Sequence, residues 1–278
     1  MKYYETHFDD YITSIEQYNL HPEINKTLQL FPNKVNQLEN LIIYGPSGVG
    51  KYSQVLKLLK KYSPSGLKYD KNITVQTDKQ QYNYRMSDIH YEIDMSLLGC
   101  NSKILWHEIF FQIVDIILVK PEKTGIILCK NMHLIHTELL EIFYSYVQQY
   151  NHTQANINIK FFIMTEHISF LPTPIINACH ILNIGRPSKT KYNQLTINNI
   201  ISPDQFIIKP QINNQTQQHI TEIMENIDLI GITNIKDLRS LQRITNITEM
   251  PKDIFNIICD NIIKEILSPR TLTFTGFR

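Results

Sequence analysis

The sequence predicts an α/β fold, a parallel sheet flanked by helices and followed by a smaller helical domain. Three observations carry that prediction. Between residues 40 and 186 short β-rich apolar runs alternate with longer helical periods, as a layered α/β domain requires. One strand-to-helix junction reads Gly45-Pro46-Ser47-Gly48-Val49-Gly50-Lys51. Beyond Arg186-Pro187-Ser188 strand signals fade into Asn-, Gln- and Ile-rich helical patterns, which sets a boundary at residue 187.

Taken in order, Leu41 to Tyr44 is a short apolar run of buried-strand type. Lys51 to Tyr62 then places Val55, Leu56, Leu58, Leu59 and Tyr62 on one side of a helix, with Lys57, Lys60 and Lys61 on a solvated face. Ile89 to Asp94 predicts a second strand. The helix expected from Ser102 to Leu118 has apolar residues nearly all round, the mark of deep burial or a partner surface. Within it Trp106, Ile109, Phe110 and Ile113 read as core. Ile126 to Cys129, a helix from Thr137 to Tyr150, and strands at Ile159 to Met164 and Ile181 to Ile184 complete the alternation.

Composition narrows the function. The chain has 278 residues, and its 42% of hydrophobic residues suffice for a substantial core. Lys and Arg (27) nearly balance Asp and Glu (26), so the net charge of +1 supplies no global field for nucleic acid or membrane. The four cysteines lie far apart with no C-x-x-C pair, which indicates neither a zinc site nor a disulfide framework. No signal-peptide layout or membrane-spanning run is present, so an intracellular, reducing compartment is expected, whether nucleus, cytoplasm or a viral replication site.

The junction carries the chemistry. A strand, then G-x-x-x-x-G-K, then a helix is the context of a phosphate-binding loop. Its glycines let backbone N–H groups curl around an anion, the helix adds its positive end, and Lys51 reaches the terminal phosphates. Tyr52 stands where a small Ser or Thr hydroxyl would ligate magnesium. The strand ending at Cys129 runs on into Lys130-Asn131-Met132-His133 where hydrolytic P-loop proteins carry acidic residues, and the nearest downstream carboxylate is Glu138. Losing both parts favours nucleotide binding over hydrolysis. His133, His136 and Glu138, like His107-Glu108, lack the spacing of a metal motif, and no metal site is expected.

These residues resemble the AAA+ clamp-loader small subunits of the replication factor C type. The resemblance is carried by Leu41 to Lys51, by His90-Tyr-Glu-Ile-Asp-Met-Ser96 with Gly99 and Asn101, by the Leu134 to Tyr150 helix and by Pro174 to Cys179. Lys236-Asp-Leu-Arg239 looks like the second-sensor helix of a lid, and Ile262 to Pro269 like the start of a collar. The resemblance is nearest to the branch whose own ATPase site is degenerate.

It implies an AAA+ P-loop core (1–187), a helical lid (188–250) and the first helix of a truncated collar (251–278). It implies ATP or ADP at Gly45, Pro46, Ser47, Gly48, Val49, Gly50, Lys51, Tyr52 and Arg239, with magnesium weak or absent. Asn131 and His133 or their neighbours stand at the family's acidic pair, Glu166 at its first sensor, and Ala178 where its arginine finger would be. Ala178 has no guanidinium with which to stabilise phosphate charge. Lys103 matches a basic residue that contacts DNA or the clamp. The implied partners are other loader subunits, a sliding clamp and primer–template DNA, and no membrane. The expected function is that of a non-hydrolysing or weakly hydrolysing clamp-loader-like subunit. The alternatives are an autonomous ATPase using Glu138 or Glu166 as its carboxylate, and an interaction protein without nucleotide.

Overall fold

The computed structural model describes residues 7–76, 81–149, 156–187 and 191. The chain divides into two units, Met1–Gly185 and Arg186–Arg278, and everything below belongs to the first. The expected lid and collar, with Arg239, lie outside the described residues.

The helices are α1 (Phe8–Gln17), α2 (Ile24–Leu30), α3 (Lys51–Lys60), α4 (Ser102–Val119), α5 (Thr137–Gln149) and α6 (Thr173–Asn177). The strands are β1 (Asn40–Tyr44), β2 (Lys71–Gln76), β3 (Gln81–Met86), β4 (His90–Asp94), β5 (Thr124–Lys130), β6 (Asn158–Thr165) and β7 (Cys179–Asn183). They form one seven-stranded sheet in the order β2-β3-β4-β5-β6-β1-β7. From β4 to β7 every neighbouring pair is parallel, whereas β2–β3 and β3–β4 are antiparallel.

Side-chain alternation builds two cores, one on each face of the sheet. Ile42, Ile127, Phe161 and Ile163 point to one face, where α4 and α5 supply Trp106, Phe110, Ile113 and Phe143. Leu41, Ile43, Leu128 and Phe162 point to the other, where α1 and α3 supply Phe8, Ile12, Leu56 and Leu59. The result is the mixed α/β, helix–sheet–helix layering that the alternating sequence pattern predicts. Trp106, Ile109, Phe110 and Ile113 are all fully buried, so they are core.

The β2–β3 hairpin departs from the purely parallel expectation. Its sequence Gln81-Tyr-Asn-Tyr-Arg-Met alternates polar and apolar residues, with Tyr82, Tyr84 and Met86 buried under the α4 side of the sheet. The period of two is present, but tyrosines among Gln, Asn and Arg make no apolar run. Helices α1 and α2 form no apolar run, but Phe8, Ile12 and Ile15 recur at helical spacing as the buried face of α1, and the N-terminal segment packs on α3. Asn19 accepts from Gln54, Asn25 from Lys57 and Glu16 from Lys60, while Lys61 donates to the carbonyl of Phe31. The lysine face of α3 thus staples the N-terminal segment to the core.

Candidate nucleotide-binding site

Parallel pairing aligns the carboxyl ends of five strands at one edge of the sheet: Tyr44 beside Thr165 and Asn183, and Asp94 beside Lys130. Ligands of open α/β sheets bind outside such an edge. The Gly45 to Gly50 loop leaves β1 there and enters α3 at Lys51.

The loop needs its glycines. A Cβ on Gly45 would sit 1.9 Å from the carbonyl oxygen of Ile184, because the chain leaving β7 passes directly over it. Gly50, the N-cap of α3, has φ +92°, a conformation that side chains disfavour. The N–H groups of Ser47, Gly48, Val49 and Gly50 line this loop between β1 and α3. This is the donor set that a phosphate chain requires.

Lys51 is buried and donates to the carbonyls of Gly45 at 2.7 Å and Pro46 at 2.6 Å. Burial lowers its pKa to about 8, against the opposing pull of Glu166. His21, buried between α1 and α2, places Nε2 2.7 Å from the carbonyl of Val49 and so ties the N-terminal segment to the loop.

Tyr52 turns away from the loop into a polar cluster. Its hydroxyl donates to Glu92 Oε1 at 2.7 Å, its ring packs edge-on against Tyr11, and Lys130 Nζ lies 4.6 Å from its ring centre. Burial and the adjacent carboxylate push the Tyr52 pKa well above its usual value. Glu92 also faces His90 Nε2 at 3.2 Å and Lys130 Nζ at 3.5 Å. Burial favours its neutral form, but the His90 hydrogen bond, the Lys130 charge and the Tyr52 hydroxyl outweigh it and hold the carboxyl at about 2.

At the strand ends, Asn131 adopts φ 53° and donates from Nδ2 to Asp94 Oδ2 at 2.9 Å. Asp94 Oδ1 accepts from the Ser96 N–H and hydroxyl, at 3.1 and 2.6 Å. His133 accepts from the N–H of Glu166 at 3.3 Å, and its Nε2 lies 3.8 Å from Glu166 Oε1. Desolvation lowers the His133 pKa against the pull of Glu166, while His167 and Lys51 add to the lowering.

The loop, Lys51, Asn131, His133 and Glu166 therefore converge on the same sheet edge. Ala178 does not: it follows α6 at the amino end of β7, where its carbonyl accepts from Asn40 at 3.4 Å. Lys103 forms an exposed pair with Glu138 at 3.6 Å. His107 rests against Phe111 and the Tyr146 hydroxyl. Arg239 lies outside the described residues. Sequence reasoning missed His21, Glu92, Asp94 and Lys130. Alternation along His90-Tyr-Glu-Ile-Asp was the available signal for Glu92 and Asp94, since it points both to one face of β4; Lys130 was legible as the residue following the apolar run of β5.

A glycine-rich loop joining the first parallel strand to a helix, on a sheet covered on both faces, defines a P-loop α/β core. No protein-family profile matches the chain. In an alignment that covers 62% of its length, the chain is 22% identical to replication factor C subunit 5 of Saccharomyces cerevisiae, and the match spans 51% of that protein, about half its length. Among solved structures, C. elegans PCH-2 is 14% identical with a TM-score of 0.45, the match covering 94% of this chain and 66% of that one. Saccharomyces cerevisiae RIF2 is 12% identical with a TM-score of 0.44, covering 95% and 88%. A Thermotoga maritima RuvB variant is 12% identical with a TM-score of 0.44, covering 98% and 83%. Among the described residues no helix is long and apolar enough to cross a membrane.

Proposed function

We propose that this chain is a clamp-loader-like subunit that binds ATP or ADP without hydrolysing it, or while hydrolysing it only weakly. The observation that carries the reading is the contrast between Lys51 and Tyr52. The loop keeps its glycines, its backbone N–H groups and its lysine, while the adjacent hydroxyl is committed at 2.7 Å to the buried Glu92. Binding and hydrolysis draw on separable parts of a P-loop, because the backbone cradle holds phosphate whereas metal and a positioned water drive its transfer. The likeness to replication factor C subunit 5 supports the loader assignment, with partner subunits, a sliding clamp and primer–template DNA as the partners. In this role the subunit is architectural, and bound nucleotide organises it within a loader arc that grips the clamp and primer–template DNA.

The test is nucleotide affinity and turnover of the purified chain. Tight binding without turnover, abolished by Lys51→Ala, is expected. Deleting the subunit from a reconstituted loader is expected to abolish clamp loading, while Lys51→Ala leaves most of it; unchanged loading after deletion rejects the assignment.

A second reading, an autonomous ATPase, is favoured by one observation: Glu166 lies close enough to Lys51 to oppose its deprotonation. Magnesium-dependent turnover abolished by Glu166→Gln would establish it. The other proposed carboxylate, Glu138, pairs with Lys103 instead.

A further inference from the structure

A magnesium ion in a P-loop is held by a small hydroxyl in the first turn of the helix and by a carboxylate at a neighbouring strand end. The residues here do not fit that ion. The helix position is Tyr52, whose hydroxyl is spent on Glu92. The end of β5 is Lys130, followed by Asn131. The nearby carboxylates are engaged as well: Glu92 by Tyr52, His90 and Lys130, and Asp94 by Ser96 and Asn131. Glu166 stands against His133 and the Lys51 charge. Among the described residues no group of three or more His, Cys, Asp or Glu side chains could hold a metal ion.

What stands beside Tyr52 instead is an ammonium. Lys130 Nζ lies 4.6 Å from the Tyr52 ring centre and 3.5 Å from Glu92 Oε2, and its side chain is 29% exposed, so it borders both the buried cluster and the open strand edge. Lys130, paired with Glu92, thus occupies the end of β5, the strand-end position at which hydrolytic P-loop sites carry an acidic metal ligand.

We propose that the loop takes the metal-free polyphosphate of a nucleotide, with Lys130 supplying the positive charge that magnesium supplies in hydrolytic P-loop sites. The inference rests on the nucleotide reading above. Its chemistry is asymmetric: an ammonium attracts free polyphosphate more strongly than the magnesium complex, which carries two fewer negative charges, so added metal competes with the protein for its ligand. Lys130 balances charge without polarising the terminal phosphate as a divalent ion does, which also accounts for a site that binds and does not hydrolyse.

The experiment is calorimetric titration of the full chain with ATP, ADP and inorganic tripolyphosphate, each in EDTA and in excess magnesium. Binding in EDTA equal to or tighter than binding in magnesium is expected. Lys130→Met should weaken binding in EDTA about tenfold, equivalent to about 1.4 kcal/mol, and Lys130→Arg should retain it. The double variant Tyr52→Thr with Lys130→Asp should acquire a magnesium requirement. If Lys130→Met does not fold, as judged by circular dichroism, the wild-type comparison and Lys130→Arg decide. Wild-type binding that requires magnesium, or an unchanged affinity in folded Lys130→Met, overturns the inference and leaves the nucleotide reading standing. Absence of ATP and ADP binding in both buffers overturns that reading and this inference together.

Discussion

Glu92 holds its charge in a place where burial alone would neutralise it. His90, Lys130 and Tyr52 bring its pKa to about 2, below its usual 4.5, so the folded state binds this proton less readily than the unfolded chain. The stabilisation is therefore complete above pH 4.5 and is lost as pH falls from there toward 2. Urea unfolding at pH 7 and pH 3.5 should show a loss of stability that Glu92→Gln largely removes. Lys51 works in the opposite sense. Burial lowers its pKa to about 8 from 10.5, so stability rises with pH between those values while the ammonium available to phosphate disappears. Nucleotide affinity should therefore fall as pH rises through 8, and Lys51→Arg, charged throughout, should flatten that profile in the same titration. The thiols of Cys129 and Cys179 are pushed upward by burial, Cys179 to about 12, which leaves both unreactive at neutral pH.

At the scale of elements, α3 is held from both sides. Its apolar face sits on the sheet, and its lysines reach the N-terminal segment through Asn25, Glu16 and Phe31. The apolar contacts matter most, since exposed ion pairs contribute little. Phe8→Ala should cost about 3–5 kcal/mol of stability by opening a cavity at fully buried Phe8, against less than about 1 kcal/mol for Lys60→Ala, both read by urea denaturation. The junction of β1 and β7 is equally intolerant. Gly45→Ala would drive a methyl against the Ile184 carbonyl and should cost about 1–3 kcal/mol and displace the loop, seen as lost nucleotide binding. Val49 links this loop to the N-terminal segment through the contact of its carbonyl with His21.

Over the whole molecule, ligand binding and folding are linked. A nucleotide that binds only the folded chain should raise its stability by about 2.7 kcal/mol at a hundredfold excess over Kd, and so raise Tm. If the ammonium of Lys130 stands in for metal, the Tm rise should persist in EDTA. Under the proposed function, assembly would depend on local surfaces and not on net charge, because 27 basic and 26 acidic residues nearly cancel. Lys103, the one DNA- or clamp-contact candidate, pairs with Glu138 across exposed ends of α4 and α5. Lys103→Ala should therefore leave stability nearly unchanged, which makes it a clean probe of clamp or DNA binding in the reconstituted loader.

The layered α/β class, most of its strands and the strand–loop–helix setting of the glycine-rich segment were legible in the sequence because they rest on local order. Apolar runs and helical periods mark elements wherever they pack, and G-x-x-x-x-G-K needs only a strand before it and a helix after it. Tyr52 was equally legible as a departure, since its position is counted from Lys51. What residues far apart do to one another was not legible. Glu92 is 40 residues from Tyr52 and Lys130 is 38 from Glu92, yet parallel pairing of β4 with β5 under α3 makes them one cluster. Parallel pairing of β1 with β7 separates Ala178 from the loop by placing it before the opposite end of β7, and the β4–β5 register joins Asn131 to Asp94. The β2–β3 hairpin belongs to this second kind, because its polar alternation becomes a strand signal only where α4 offers Tyr82 and Tyr84 an apolar floor. Sequence determines which groups are available and how each short segment folds. Sheet register decides which of them share a site, and hence whether a lysine at a strand end is a surface charge or, like Lys130, the partner of a buried carboxylate.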